Sequence, residues 1–351
     1  MARTTTSKTK TRTQTRTFLR GITSEHYGLK DFRRAQLAAP RVRGGEGDLV
    51  VDGTTPGYSE GSKAVWRLSP DDDPFLSQTL QAHFVDVYPD TIDAAHGHQN
   101  EAAFYILNGS GYEIHDDQRY DWAKDDVVVV HTDSVHGHAS NGGLAQTLVF
   151  KAKSTWMYFG LVQQGKPGPF VDDEERFGPR EDWSQVWTPG VTQRKKVVSP
   201  SDTTWELTRD GHIRSILSPE RTDVRCFSVD LYQQRIPAGS RSAKHWHMAD
   251  ELLYVQSGSG TSLHWEVEAE IAEKFYARVA EEPTRHEFKA GDTIYVPQNT
   301  IHQHIADDGA EVMLLSAQNR LFRSLGYDNV AYLEDAPEYT AEHGAISTGQ
   351  A

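Results

Sequence analysis

The chain has 351 residues, 37% of them hydrophobic and 25% charged, with a formal net charge of -14 and one cysteine, Cys226. That length suits two domains of ordinary size, each with its own core. The acidic balance argues against a nucleic-acid or anionic-membrane binder, the lone cysteine excludes an internal disulfide framework, and no apolar run reaches membrane-span length.

Residues 1–20, MARTTTSKTKTRTQTRTFLR, hold six basic side chains, eight threonines and no acid, the composition of a flexible solvated tail. No apolar signal core is present, and the expected location is cytoplasmic. Residues 21–165 carry short β-rich runs, including FVDVY (84–88), AAFYIL and DVVVV, bounded by Gly, Asp and Asn turn signals. Residues 166–200 read as a linker rich in Gly, Pro and charge. Residues 201–330 then repeat the earlier pattern. SVDLY (228–232) resembles FVDVY. HWHMADELLYVQSGSG (245–260) aligns without a gap on HGHQNEAAFYILNGSG (96–111). AGDTIYVPQNTIHQH (290–304) aligns the same way on KDDVVVVHTDSVHGH (124–138). Two homologous domains follow, all-β, each a jelly-roll barrel with short helical or loop additions.

The insertion 264–286 is ambiguous. It alternates like a strand at first, while Ile271, Phe275 and Val279 have helical spacing, and it reads equally as a lid or a surface excursion. In SAQNRLFR (316–323), Gln318 or Arg320 faces the second cavity, or Arg320 makes an ion pair. Residues 331–351 read as a C-terminal tail, with AEHGAISTGQA (341–351) mobile.

Alternate side chains of a strand share a face, so His245 and His247 point together, with Glu251 on the same parity. Imidazoles and a carboxylate on one barrel wall suit a divalent first-row metal. The first copy offers His96, His98 and His136, but Ala102 stands where the second has Glu251. Glu101 is one residue off and should turn to the other face. In a six-coordinate frame three histidines leave three positions open, and neutral imidazoles leave the full metal charge to attract an anion. His138, two residues past His136, shares its inward face. It either handles protons or is a satisfied core histidine. Trp156, Tyr158, Phe104 and Tyr105 either line a pocket or belong to the core.

Gly239, His245, His247, Glu251 and Gly258 fit the cupin motif G-x5-H-x-H-x3-E-x6-G, and Gly291, Pro297 and His302 fit G-x5-P-x-G-x2-H. Asn299 replaces the second motif's inner glycine, and asparagine also tolerates a left-handed turn. The first copy has His131 and Asp133 in the proline and glycine positions. The chain resembles the bicupins, and the resemblance implies a metal held by His245, His247, Glu251 and His302.

With HGHQNEAAFYILNGSG in the first copy and VHGH closing it, the chain resembles the gentisate and 1-hydroxy-2-naphthoate dioxygenases. The resemblance implies an Fe(II) centre on His96, His98 and His136 that splits a hydroxylated or amino-substituted aromatic carboxylic acid with O2 as cosubstrate. Mn(II), Ni(II) and Cu(II) accept the same ligands. The alternatives are a Mn-dependent decarboxylase of the oxalate decarboxylase type and a non-enzymatic small-ligand cupin. The expected partner is a small aromatic acid, with no nucleic acid or membrane, and the expected assembly is a homo-oligomer.

Overall fold

The computed structural model describes residues 35–55, 61–69, 77–89, 91–92, 95–161, 164–165, 178–179 and 181–344. The basic arm 1–20 and most of the predicted linker lie outside the described residues.

The runs of apolar residues form strands buried on both faces, and the alternation decides what each face covers. In Val127–Val130, Val128 and Val130 point into the first barrel with Ala102, Phe104 and Ile106. Val127 and Val129 point the other way, into a larger cluster with Tyr105, Phe150, Leu231 and Tyr295 that joins the two halves. In the second half, Leu253, Val255, Ile294 and Val296 form the matching interior.

Each half is a pair of sheets. The first barrel has a seven-stranded sheet centred on Ala102–Asn108, Ala145–Lys151 and Gln81–Val87, and a five-stranded sheet containing His96–His98, Ser134–Ser140 and Ser110–His115. The second has a seven-stranded sheet with Glu251–Ser257, Val312–Asn319 and Val229–Ile236, and a six-stranded sheet with Lys244–His247, Thr300–Ala306 and Ser259–Ile271. The halves exchange edges. Val42–Arg43 pairs with Ile294 and Thr293 of the second barrel, and Val197–Val198 pairs with Val128 and Val127 of the first. The predicted linker therefore ends as part of the first barrel's sheet.

Glu101 turns away from the first cavity, as strand parity requires, and crosses to the other barrel. Its Oε2 accepts from Phe227 N–H, Ser228 N–H and Ser228 Oγ, each at 2.8 Å. Asp250, at the equivalent position of the repeat, accepts from Thr79 N–H at 2.9 Å and Tyr295 Oη at 3.0 Å in the reciprocal direction. Both acids are fully buried, so each removal strands backbone donors without water. Glu101→Ala and Asp250→Ala should each lower unfolding free energy by about 2 kcal/mol. Urea unfolding checks this, and wild-type midpoints in both variants would rule out the clasp.

Two expectations need correction, and the ambiguity of the insertion is resolved. The register pairs His83 with Val149 and Tyr232 with Ser316, which makes His83 the counterpart of Tyr232. The FVDVY–SVDLY alignment put Tyr88 there and is out of register, because the short motif's similarity outweighed the gapless spacing from the histidines. The insertion is a β-hairpin, with Ile271, Phe275 and Val279 exposed on it instead of sharing a buried helical stripe. The expected C-terminal tail carries a strand, Val330–Glu334, and a helix, Pro337–His343. That strand pairs with the open edge of Lys244–His247, so main-chain hydrogen bonding holds it where its own composition gives little signal. Among the described residues, no helix is long and apolar enough to cross a membrane.

Candidate metal centres

His96 and His98 alternate on one three-residue strand, and His136 lies directly opposite His96 in register. Ring centroids are 4.3 Å apart for His96–His136, 4.8 Å for His98–His136 and 5.6 Å for His96–His98. In the second barrel His302 lies opposite His245, and the corresponding separations are 4.2, 4.9 and 5.4 Å. The two triads are thus near-copies. One ligand atom from each member of a set lies within 4.8 Å of the others, both for His96, His98 and His136 and for His245, His247, Glu251 and His302.

The hydrogen bonds aim the rings. The Nδ1 atoms of His98 and His136 lie 2.6 and 3.2 Å from the carbonyls of Asn100 and Ser134. Those of His247 and His302 lie 2.8 and 3.1 Å from Ala249 and Thr300 carbonyls. A proton on Nδ1 leaves the Nε2 lone pair inward, the arrangement a metal ligand needs. Nε2 of His98 and of His136 is buried with no hydrogen-bond partner. Burial, with Lys151 and His96 adding to it, lowers His98 to about 2. Burial and then His245 lower His302 to about 4. Neutral imidazole is the ligating form, so both donor sets fit a divalent first-row ion.

The second site is closed in by further polar groups. Glu251 Oε2 lies 3.2 and 3.1 Å from Nε2 of His247 and His302, and Oε1 accepts from Tyr232 Oη at 2.5 Å and from Ser316 Oγ. Burial opposes the Glu251 charge, but the two histidines hold the carboxyl well below its usual range. His245 Nδ1 sits 3.1 Å from Asp210 Oδ1, and Tyr332 of the C-terminal strand donates to Asp210 Oδ2 at 2.8 Å. Gln318 Nε2 reaches to 3.3 Å from His247 Nε2, whereas Arg320 pairs with Asp230 at 2.6 Å. Asn299 has φ 60° and Asp133 has φ 61°, so both substitutes for the motif glycine adopt the left-handed turn.

The first site lacks that enclosure. Ala102, Val149 and His83 stand where the second barrel has Glu251, Ser316 and Tyr232. The His138 ring lies 5.3 Å from His136, 6.4 Å from His96 and 4.6 Å from Phe104. Its Nδ1 is 3.5 Å from Glu113 Oε2, and Glu113 Oε1 is 2.5 Å from His115 Nε2. Burial opposes the Glu113 charge, yet His138 and His115 bring the carboxyl down to about 2. Sequence reasoning missed Glu113, His115, His83 and Lys151. The alternation of Gly111, Glu113 and His115 beside VHGH is the signal that could have found the first two. Of the candidate aromatics, Phe104 faces this interior. Tyr105 faces the other barrel and donates to Asp125 at 2.8 Å.

Residues 211–329 match the protein family described as Cupin. No curated protein matches the chain in sequence. Among solved structures, the salicylate 1,2-dioxygenase from Pseudaminobacter salicylatoxidans is similar with a TM-score of 0.57 and 11% identity, over 83% of this chain and 89% of that one. A structure of Bacillus subtilis oxalate decarboxylase, described for its Mn(II) centres, is similar with a TM-score of 0.56 and 13% identity, over 84% and 80%. These likenesses establish the fold, a bicupin of two jelly-roll barrels.

Proposed function

We propose that the first barrel is the catalytic centre of a non-haem Fe(II) dioxygenase that opens the ring of a hydroxylated or amino-substituted aromatic carboxylic acid. The observation that carries this reading is Ala102, which removes the carboxylate while the three imidazoles keep the geometry of the second site. Similarity to a salicylate 1,2-dioxygenase supports it.

His96, His98 and His136 would hold the ion, and iron there supplies a Lewis acid for a chelating substrate and electrons for O2. Ala102 leaves room for the chelate, Phe104 gives the ring an apolar wall, and the barrel interior excludes water. Glu113 lies against His138 Nδ1 and orients the ring, and His138 would take the proton of the substrate hydroxyl.

Anaerobic reconstitution with Fe(II), followed by O2 uptake with a panel of hydroxy- and aminobenzoates, tests the reading. The expected result is more than one metal per chain and O2 uptake coupled to a ring-opened chromophore. Release of CO2 from oxalate without net O2 uptake would replace it with the decarboxylase alternative. A ceiling of one metal per chain under saturating conditions would remove the two-site basis.

A further inference from the structure

Lys151 closes the strand Ala145–Lys151 and pairs with Gln81 in register. In the second barrel the same register places Gln318 opposite Asp230, so Lys151 is the counterpart of Gln318. Gln318 reaches to 3.3 Å from a ligand histidine, which shows that a long side chain at this position enters the site. By that register Lys151 stands on the face of the first site where Ala102 provides no carboxylate.

Two neighbours face the same space. His83, the counterpart of Tyr232, is 6% exposed, and its Nδ1 is buried without a hydrogen-bond partner. Its ring stacks on Trp66 at 4.4 Å, which fixes its plane. Gln81 is 4% exposed, and its Oε1 is likewise buried without a partner. Buried polar atoms are normally hydrogen-bonded, so two such atoms beside a cation point to a ligand that supplies the missing partners.

We propose that Lys151, Gln81 and His83 form the recognition side of the first barrel's pocket. Lys151 pairs with the substrate carboxylate, and the Gln81 carbonyl accepts from the ortho hydroxyl or amino group as the ligand enters, before a hydroxyl proton passes to His138. This rests on the first barrel being the substrate site, and it names the features a ligand must carry: an anionic carboxylate with a hydrogen-bond donor next to it. The second barrel fills the same place with Glu251, Tyr232 and Ser316 and would refuse such an anion.

The test is binding without turnover. Wild-type protein and the variants, loaded with Co(II) under anaerobic conditions, are titrated with 2-hydroxybenzoate and with neutral 2-hydroxybenzamide, followed by the visible ligand-field spectrum. Lys151→Gln should weaken 2-hydroxybenzoate by about 10- to 100-fold and leave 2-hydroxybenzamide within about threefold, since a charge-assisted bond is lost only for the anion. Lys151→Arg should recover most of the loss. Gln81→Leu should weaken both ligands. Equal effects of Lys151→Gln on the two ligands, no effect on either, or no binding of 2-hydroxybenzoate to wild type would overturn the assignment. Because the readout needs no O2, a protein that binds as expected but cleaves no ring sinks the dioxygenase reading alone. One that cleaves rings with unchanged KM in Lys151→Gln sinks only the recognition role.

Discussion

Replacing His96 or His136 by alanine should reduce O2-dependent turnover by about 1,000-fold or more, at least about 4 kcal/mol of barrier, while the second barrel retains its metal. Either change removes one of three donors, and among the described residues no carboxylate joins that donor set. Glu113, the carboxylate on this wall, is engaged by His115 and His138. Removing Glu251 should instead weaken metal retention and stability in the second barrel and leave turnover largely intact. Ala102→Glu is the complementary change. A carboxylate there would stand to His98 and His136 as Glu251 stands to His247 and His302, at 3.2 and 3.1 Å. It should suppress turnover even as metal binding tightens, because it takes the position a chelating anion needs. Steady-state kinetics with metal analysis of each variant decide the matter. If His245→Ala abolishes activity and His96→Ala spares it, the chemistry belongs to the four-ligand barrel and the gentisate-like reading fails.

The two histidine clusters were legible because strand alternation is local: HGH and HWH fix their own faces whatever surrounds them. The Asn299 turn was legible for the same reason, since its φ of 60° is a property of one residue. What the sequence hid depends on register between distant strands. Lys151 gains its meaning from Gln81 opposite, and His83 from Val149 opposite, and neither pairing is written in a local pattern. The C-terminal strand Val330–Glu334 was hidden in the same way. It exists because the edge beside His245 offers unpaired backbone groups and because Tyr332 finds Asp210. Glu101 lies between these cases: parity turned it from the cavity, but only the structure shows Ser228 waiting across the interface.

Acid should destabilise the protein steeply, and each of two buried histidines outside the ligand sets, His131 and His304, should contribute about 2 kcal/mol between pH 7 and 5. His131 occupies the motif's proline position. Its Nε2 lies 2.6 Å from Val224 carbonyl, and its Nδ1 lies 3.1 Å from Lys196 Nζ. Lys196 is itself 2% exposed and is lowered by burial only to about 8, so it is charged at neutral pH. A proton on Nδ1 would break the Lys196 bond and place two cations side by side without water. Burial first, and then Lys196, accordingly lower His131 to about 3. His304 is also lowered to about 3, by burial and then His302. Both rings stay neutral in the fold but charge in the unfolded chain below about 6.5. The unfolded state thus binds more protons, and stability present above 6.5 is lost as pH falls toward 3. At pH 5 the medium is about 1.5 units below each ring's unfolded value, which costs about 2 kcal/mol per ring. His131→Leu with Lys196→Met replaces the buried polar pair by apolar groups of similar size. It should hold neutral-pH stability within about 2 kcal/mol and remove about 2 kcal/mol of the acid loss. Urea unfolding at pH 7 and 5 measures both numbers. An unchanged acid loss in the double variant would place the proton uptake elsewhere than the seam between barrel and linker.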